Sequence, residues 1–424
     1  MNMKRFIAAI LAGLMVLSLA ACGGGNGGGS NGGGASSNGG SSGGGNNSSV
    51  SDAGGGASGG ASDMKIAMIT DSGDITDQSF NQTTYETAKA WSEANGASFT
   101  YYKPEKDSDE ARNACVDLAA ADGVNIIIVP GYMFAATLVA QTEMYPDIKF
   151  VALDVGEGDL CEKGVGEGYY EGLAAGTVYN AGDYYNTENT YCATYQEQIS
   201  GFMAGYTAVQ LGYRHIGFLG GMSVPAVQRF GYGYIQGADK AAADLGVTGD
   251  VTVEYVYGGQ FFGDADITAA MDTWYNSLGV ELVFASGGGI YTSAAEAAAK
   301  VGGKIIGVDS DQSSKIDEYG ADMTVTSAMK GLDATINMVL TDIMDGKWSE
   351  HVGKIESLGL VSDNPDENYV QLPRATTQWS ADFTEDDYLT LVKSIHSGEI
   401  TVSDDITAMP STAITVNDYG SIKG

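Results

Sequence analysis

Three histidines, His215, His351 and His396, are the only imidazoles in the 424-residue chain. None sits at the end of an apolar, strand-like run beside a nucleophile it could activate, so a Ser-His-Asp arrangement is not expected. Ser286-Gly-Gly-Gly-Ile-Tyr-Thr292 has the glycines of a phosphate cradle but lacks the Gly-Lys-Ser/Thr ending that holds phosphate and magnesium. Paired carboxylates are uninformative in a chain with 54 acidic residues. Cys115, Cys161 and Cys192 match no zinc spacing. The chain is therefore expected not to be an enzyme, and no cofactor or metal is expected.

The remaining chemistry is that of binding. Asp77-Gln-Ser-Phe80-Asn81-Gln82 places an aromatic face beside an amide, a pair able to stack on a flat ring and hydrogen-bond its edge. The plainer alternative is that Asp77 caps a helix and Phe80 is core. Gly259-Gln-Phe261-Phe262-Gly-Asp264 offers a second aromatic. Asp309 closes the apolar run Ile305–Val308 and could accept from sugar hydroxyls. Lys330, ending Thr326-Ser-Ala-Met-Lys330, is one of few lysines at a strand end; its alternative is a solvated surface lysine.

These residues need a scaffold, and the patterning supplies one. Strand-like runs at Lys65–Thr70, Ser98–Tyr102, Asn125–Val129 and Lys149–Asp154 alternate with helix-like stretches. The alternation restarts after Tyr195: a helix is predicted from about Gln196 to Leu211, with Gly201 and Gly205 as close-packing points. Strands follow at His215–Leu219, Val251–Val256, Leu282–Ala285, Lys304–Val308 and Met323–Thr326. Continuous apolar strands alternating with helices signify parallel sheets covered on both faces. Two doubly wound α/β lobes are expected, the first over 63–196 and completed by about 325–348, the second over 197–324. Open α/β sheets bind ligands beyond the carboxyl ends of their strands, and here those ends carry Gly or Asp, Asp154 among them. The site is then the cleft between lobes. Residues 156–190 read as a surface insertion. Residues 349–424 have no clear placement, beyond a helix over Tyr388–Ser397.

At the start, Lys4-Arg5 precedes an apolar run from Phe6 to Ala20, too short for a comfortable membrane span. It ends in Leu19-Ala20-Ala21-Cys22, which resembles the bacterial lipobox, with Cys22 as the lipid-bearing residue after removal of 1–21. Residues 22–62 are almost entirely Gly, Ser, Asn and Ala, the composition of a flexible tether. No later stretch is long and apolar enough to span a bilayer, so anchorage on the extracytoplasmic face of the cell membrane is expected. The net charge of −33 excludes a nucleic-acid partner, which wants clustered Lys and Arg. An exported location permits one disulfide, with Cys161–Cys192 favoured.

Together the chain resembles the basic membrane protein family of lipoproteins, purine-nucleoside receptors serving ABC importers. The resemblance covers Lys65 to about Gly346. It rests on Asp71-x-Gly-x-x-x-Asp77-x-Ser-Phe80-Asn81-Gln82, Gly201-Phe-Met-Ala-Gly205, Gly217-Phe-Leu-Gly-Gly-Met222, Arg229-Phe-Gly-Tyr-Gly-Tyr-Ile-Gln-Gly237, Gly307-Val-Asp309-Ser-Asp-Gln312 and Thr326-Ser-Ala-Met-Lys330. It implies a type I periplasmic-binding-protein fold with a hinge. It further implies that Phe80 and Phe262 stack on the base, that Asn81 and Asp154 bond its edges, and that Asp309 and Lys330 hold the ribose, with Gly288 approaching by backbone. Phe261 is the alternative to Phe262, and Gly287 to Gly288. The implied partners are a nucleoside and an ABC permease, with the receptor a monomer. Thr87 replaces a glycine usual in the family. The other readings are a receptor for a sugar or another small polar solute, and a non-transport surface lipoprotein for adhesion or signalling.

Overall fold

Runs such as Ile126-Ile-Ile-Val-Pro130 and Leu282-Val-Phe-Ala-Ser286 are buried at every position, because parallel strands are covered on both faces. The computed structural model describes residues 60–71 and 73–423. The expected signal peptide, Cys22 and nearly all of the expected tether lie outside the described residues. In the first lobe, β1 (Lys65–Ile69), β2 (Ser98–Tyr102), β3 (Ile126–Pro130), β4 (Lys149–Leu153) and β5 (Thr190–Tyr195) alternate with helices. The helices are α1 (Phe80–Asn95), α2 (Asp109–Ala121), α3 (Ala135–Gln141), α4 (Glu157–Val165) and α5 (Tyr169–Ala174).

The second lobe runs through α6 (Glu197–Gln210), β6 (His215–Gly220), α7 (Pro225–Leu245), β7 (Thr252–Tyr257), α8 (Ala265–Thr273) and β8 (Leu282–Ser286). It continues through α9 (Tyr291–Ala299), β9 (Lys304–Asp309), α10 (Ser313–Ile316) and β10 (Thr324–Lys330). The chain returns to the first lobe with α11 (Leu332–Met344) and β11 (Ile355–Leu358). It ends beside the second with β12 (Val370–Gln371), α12 (Glu385–His396) and β13 (Thr415–Ser421).

The sheet orders are β11-β5-β4-β3-β1-β2 and β12-β10-β9-β8-β6-β7-β13. Among the described strands, only the β10–β12 pairing is antiparallel. Each lobe therefore repeats one winding, β2-β1-β3-β4-β5 and β7-β6-β8-β9-β10. In such sheets the strand order reverses beside the first strand, and the crevice opens there. The two-lobed, mostly parallel fold agrees with the architecture expected from patterning.

Some elements differ from expectation. β10, assigned in part to the first lobe, lies in the second sheet; first-lobe structure resumes with α11, whose Thr341 accepts from Trp91 Nε1 of α1 at 3.0 Å. Residues 156–190 form α4 and α5, with Leu160, Cys161, Tyr169 and Tyr185 buried. Seven glycines between 156 and 176 hide the apolar periodicity of that stretch. The Cys161–Cys192 pairing favoured from sequence does not form. Both thiols, and Cys115, are free and buried in the first-lobe core, where each acts as a small apolar side chain.

The lobes are joined where the chain crosses between sheets, and the crossings are tied together. Gln196 N donates to Leu358 O at 2.8 Å, Gly331 N to Tyr369 O at 2.7 Å, and Tyr369 N to Gly359 O at 3.0 Å. Beside them α6, buried along almost its whole length, crosses α7 at backbone contact. A methyl group at Gly201 or Gly205 would overlap the carbonyl of Phe230 or Tyr234; one at Gly233 or Gly237 would overlap that of Gln198 or Phe202. Overpacking of this kind costs ~1–3 kcal/mol or more, because main chain cannot swing aside as a side chain can.

Candidate functional site

A cavity of about 140 Å³ lies between the lobes at the carboxyl ends of the strands. The first lobe lines it with residues after β1, β3 and β4, the second with residues after β6, β7, β8 and β9, and Lys330 closes it at the end of β10.

The first-lobe side is a hydrogen-bonded polar framework. Asp77 accepts from the backbone of Ser79, Asn81 and Gln82 at 2.9–3.0 Å and so caps α1, offsetting orphan amides at the helix start. Asn81 donates through Nδ2 to Asp71 Oδ1 and Asp77 Oδ2, both at 2.9 Å, and accepts from Asp71 N at 3.4 Å. Its amide is thus committed within the protein: Asn81 lines the cleft but positions two carboxylates. Burial pushes Asp71 up to about 6, against the opposing bonds from Gly73 N and Asn81. Asp159 is likewise pushed by burial to about 6, with Gly156 N donating to it at 2.8 Å.

The cleft floor is an ion cluster shared by both lobes. Lys330 is 5% exposed, not a surface lysine. Its ammonium pairs with Asp154 Oδ2 and lies 3.5 Å from Asp309 Oδ1 and 3.7 Å from Glu197 Oε1. It also sits over the rings of Phe80, Tyr195 and Phe230, at 4.6, 5.6 and 5.7 Å from their centroids. Burial alone would lower the lysine, but Asp154, Asp309 and Glu197 outweigh it and hold the proton tightly. Burial nevertheless raises Asp309 and Glu197, in spite of Lys330 and, for Glu197, of Arg229 Nε donating at 2.6 Å. Ser79 Oγ donates to Asp309 Oδ2 at 2.5 Å across the cleft.

Asp154 and Asp309 occupy equivalent places, the ends of β4 and β9. Both have left-handed backbone, φ 58° and 65°, which is uncommon outside glycine though aspartate tolerates it better than most. Two lobes thus use the same strained turn to aim a carboxylate at one lysine.

The second-lobe wall is mostly backbone. Gly287 and Gly288 have φ 144° and 51° and pack so closely on Phe261 that a Cβ on either would collide with it. Phe261 lines the cavity; Phe262 does not and is 62% exposed. The assignment of Phe262 therefore moves to Phe261. Phe262 bridges in parallel to Gly289 with its side chain outside the cavity, while the ring of Phe261 packs on Gly221 and Gly287.

Phe80, Asn81, Asp154, Gly288, Asp309 and Lys330 are brought together as expected. Sequence reasoning did not select Asp71, Asp159, Arg229 or Ser286, all of which line the cavity. Asp71 and Arg229 belong to the motifs that carry the family resemblance, and Ser286 ends an apolar strand; Asp159 fell in the glycine-rich stretch and carried no signal. Ser286 Oγ and Asp154 Oδ1 are buried without a hydrogen-bond partner among the described residues. A ligand can satisfy such atoms.

Residues 64–405 match the family described as Bmp, ABC transporter substrate-binding protein PnrA-like. The chain is 25% identical over 305 residues to the ABC transporter nucleoside-binding protein BmpA of Lactococcus lactis subsp. cremoris, covering 68% of this chain and 77% of that one. It is 25% identical over 313 residues to basic membrane protein B of Borreliella burgdorferi, covering 70% and 78%. Among solved structures, an ABC transporter solute-binding protein from Conexibacter woesei superposes with a TM-score of 0.57 at 20% identity, covering 80% of this chain and 99% of that one. One from Aeropyrum pernix K1 gives 0.56 at 21%, covering 80% and 87%. At these identities the superpositions speak for the fold alone.

Proposed function

The chain belongs to the PnrA-like family of ABC transporter substrate-binding proteins, and from that premise we propose that its interlobe cleft captures a purine nucleoside and delivers it to an ABC permease. The family is one of transport and not of catalysis, so the cleft binds a solute for an import system without turning it over. The observation that carries the nucleoside reading is the composition of one cavity: Phe80 from one lobe, Phe261 from the other, and Asp154, Asp309 and Lys330 at its floor. Aromatic faces suit a base, and a carboxylate–ammonium cluster suits vicinal hydroxyls that both donate and accept. The relative from Lactococcus lactis carries nucleoside binding in its name.

Five aspartates line the cavity against Lys330 and Arg229, a balance that opposes a phosphate group. That balance supports an uncharged nucleoside over a nucleotide as the ligand. Cys22 is the point of lipid attachment, and the chain acts as a monomer tethered to the extracytoplasmic face of the membrane.

Calorimetry with adenosine, guanosine, inosine, uridine and adenosine monophosphate tests this. Tight binding of a purine nucleoside, with the monophosphate much weaker, is expected. No heat from any nucleoside at millimolar concentration removes the proposal.

A further inference from the structure

The family match ends at residue 405, yet the chain continues in ordered structure to Lys423. This tail runs back along the second lobe towards the cleft. Ala413 N and Ile414 N donate to Asp239 Oδ1 of α7 at 2.7 and 3.1 Å. β13 then pairs in parallel with β7, Thr415 opposite Thr252 and Asn417 opposite Glu254, and covers what would be the exposed edge of the sheet. Glu254, buried on β7, takes its partners largely from the tail: Asn417 Nδ2 at 3.1 and 3.2 Å and Tyr419 OH at 2.7 Å, besides His215 Nε2 at 2.7 Å.

Beyond β13 the tail reaches the loop that carries Phe261. Ile422 N donates to Tyr257 O at 2.8 Å, at the last residue of β7. The Lys423 ammonium donates to Gln260 Oε1 at 2.9 Å and pairs with Asp264 Oδ2. Gln260 Nε2 in turn donates to Phe262 O at 2.8 Å and to Asp264 Oδ2 at 3.0 Å. Gly259 packs on the main chain of Lys423, with no room for a side chain. Gln260 and Asp264, which bracket Phe261-Phe262-Gly263, are thus held by one cation from outside the family match.

We propose that residues 406–423 are an intramolecular strap that sets the conformation of the 258–264 loop, with Lys423 as the positioning residue that holds Phe261 in the cleft. The ligand consequence rests on the nucleoside reading above; the loop consequence does not. Lys423 is not among the residues that line the cavity, and its effect passes through Gln260 and Asp264.

Two measurements on the whole chain test it, with Lys423→Ala and the charge-preserving Lys423→Arg. In ligand-free protein, amide exchange over 258–264 is expected to rise about three- to fivefold in Lys423→Ala, the scale of one partly exposed ion pair, and to return towards wild type in Lys423→Arg. Exchange over 73–82 and the melting temperature stay unchanged. Adenosine affinity falls by about the same factor in Lys423→Ala and recovers in Lys423→Arg. Unchanged exchange over 258–264 overturns the strap. Looser exchange with unchanged adenosine affinity overturns the positioning role. Should the wild-type chain bind no nucleoside, the nucleoside reading fails and the exchange arm still decides the strap.

Discussion

The two walls of the cleft are built from different materials. The first-lobe wall is a side-chain framework in which Asp77 caps α1 and Asn81 cross-links Asp71 to Asp77. The second-lobe wall is glycine backbone, Gly287 and Gly288, with Phe261 laid against it. One wall is held by hydrogen bonds between named side chains, the other by what has no side chain. Only the floor, where Asp154 and Asp309 converge on Lys330, treats the lobes alike. A wall of bonded polar groups is stiff, costly to bury and sensitive to charge. A wall of backbone tolerates change poorly at its glycines but depends on a neighbour to hold its one aromatic.

The largest expected effect breaks the shared floor. Lys330→Met leaves Asp154, Asp309 and Glu197 facing one another in a buried space. Removing one partner of a buried ion cluster destabilises by about 3–5 kcal/mol. Asp309 and Glu197, which burial already raises, then hold protons in the folded state that the unfolded chain has released. The deficit in urea unfolding is therefore larger at pH 7 than at pH 5. An equal deficit at both pH values would mean that the three carboxylates are not compensated by Lys330.

A smaller effect isolates the first-lobe wall. The folded state holds the Asp71 proton to about pH 6, whereas the ordinary value is 3.8. Between those values the folded state binds more protons than the unfolded, so stability falls as pH rises across that window and stays low above it. Asp71→Asn keeps an acceptor for Gly73 N and removes the charge. It should stabilise the ligand-free protein at pH 7 by about 1–3 kcal/mol, with the gain vanishing by about pH 4. Unfolding curves for both chains at pH 4, 5, 6 and 7 check the slope. A gain independent of pH would contradict it.

The same contrast explains which features the residue pattern makes legible. The parallel strands are legible because burial on both faces writes itself as Ile126-Ile-Ile-Val and Leu282-Val-Phe-Ala. The first-lobe wall is legible as a motif because side chains make it: Asp71, Asp77, Phe80 and Asn81 each carry a functional group. The role of Asn81 is not, since an amide's partners depend on how Asp71 and Asp77 converge in space. α4 is obscured because its glycines interrupt the apolar period. The tail is obscured because β13 is an exposed edge strand, Thr415-Val-Asn-Asp-Tyr-Gly-Ser421, with little apolar patterning to announce it. The pair Phe261-Phe262 is ambiguous for a simple reason: two identical residues are told apart only by which way the backbone turns.

That ambiguity gives the finest test of the second-lobe wall. If backbone geometry alone selects the ring that faces the ligand, two chemically identical substitutions one residue apart must behave differently. Phe261 lines the cavity and packs against Gly221 and Gly287. Phe262 stands 62% exposed on the outside. Phe261→Ala should weaken purine-nucleoside binding by about 1–3 kcal/mol, the value of one base–aromatic stack. Phe262→Ala should change affinity and stability by no more than about 0.5 kcal/mol, as surface substitutions do. Calorimetric titration of both variants, beside Phe80→Ala as the matching ring of the other lobe, makes the comparison direct. Equal losses at 261 and 262 would mean that the loop turns over on binding, and that the wall is set by the ligand and not by Gly287 and Gly288.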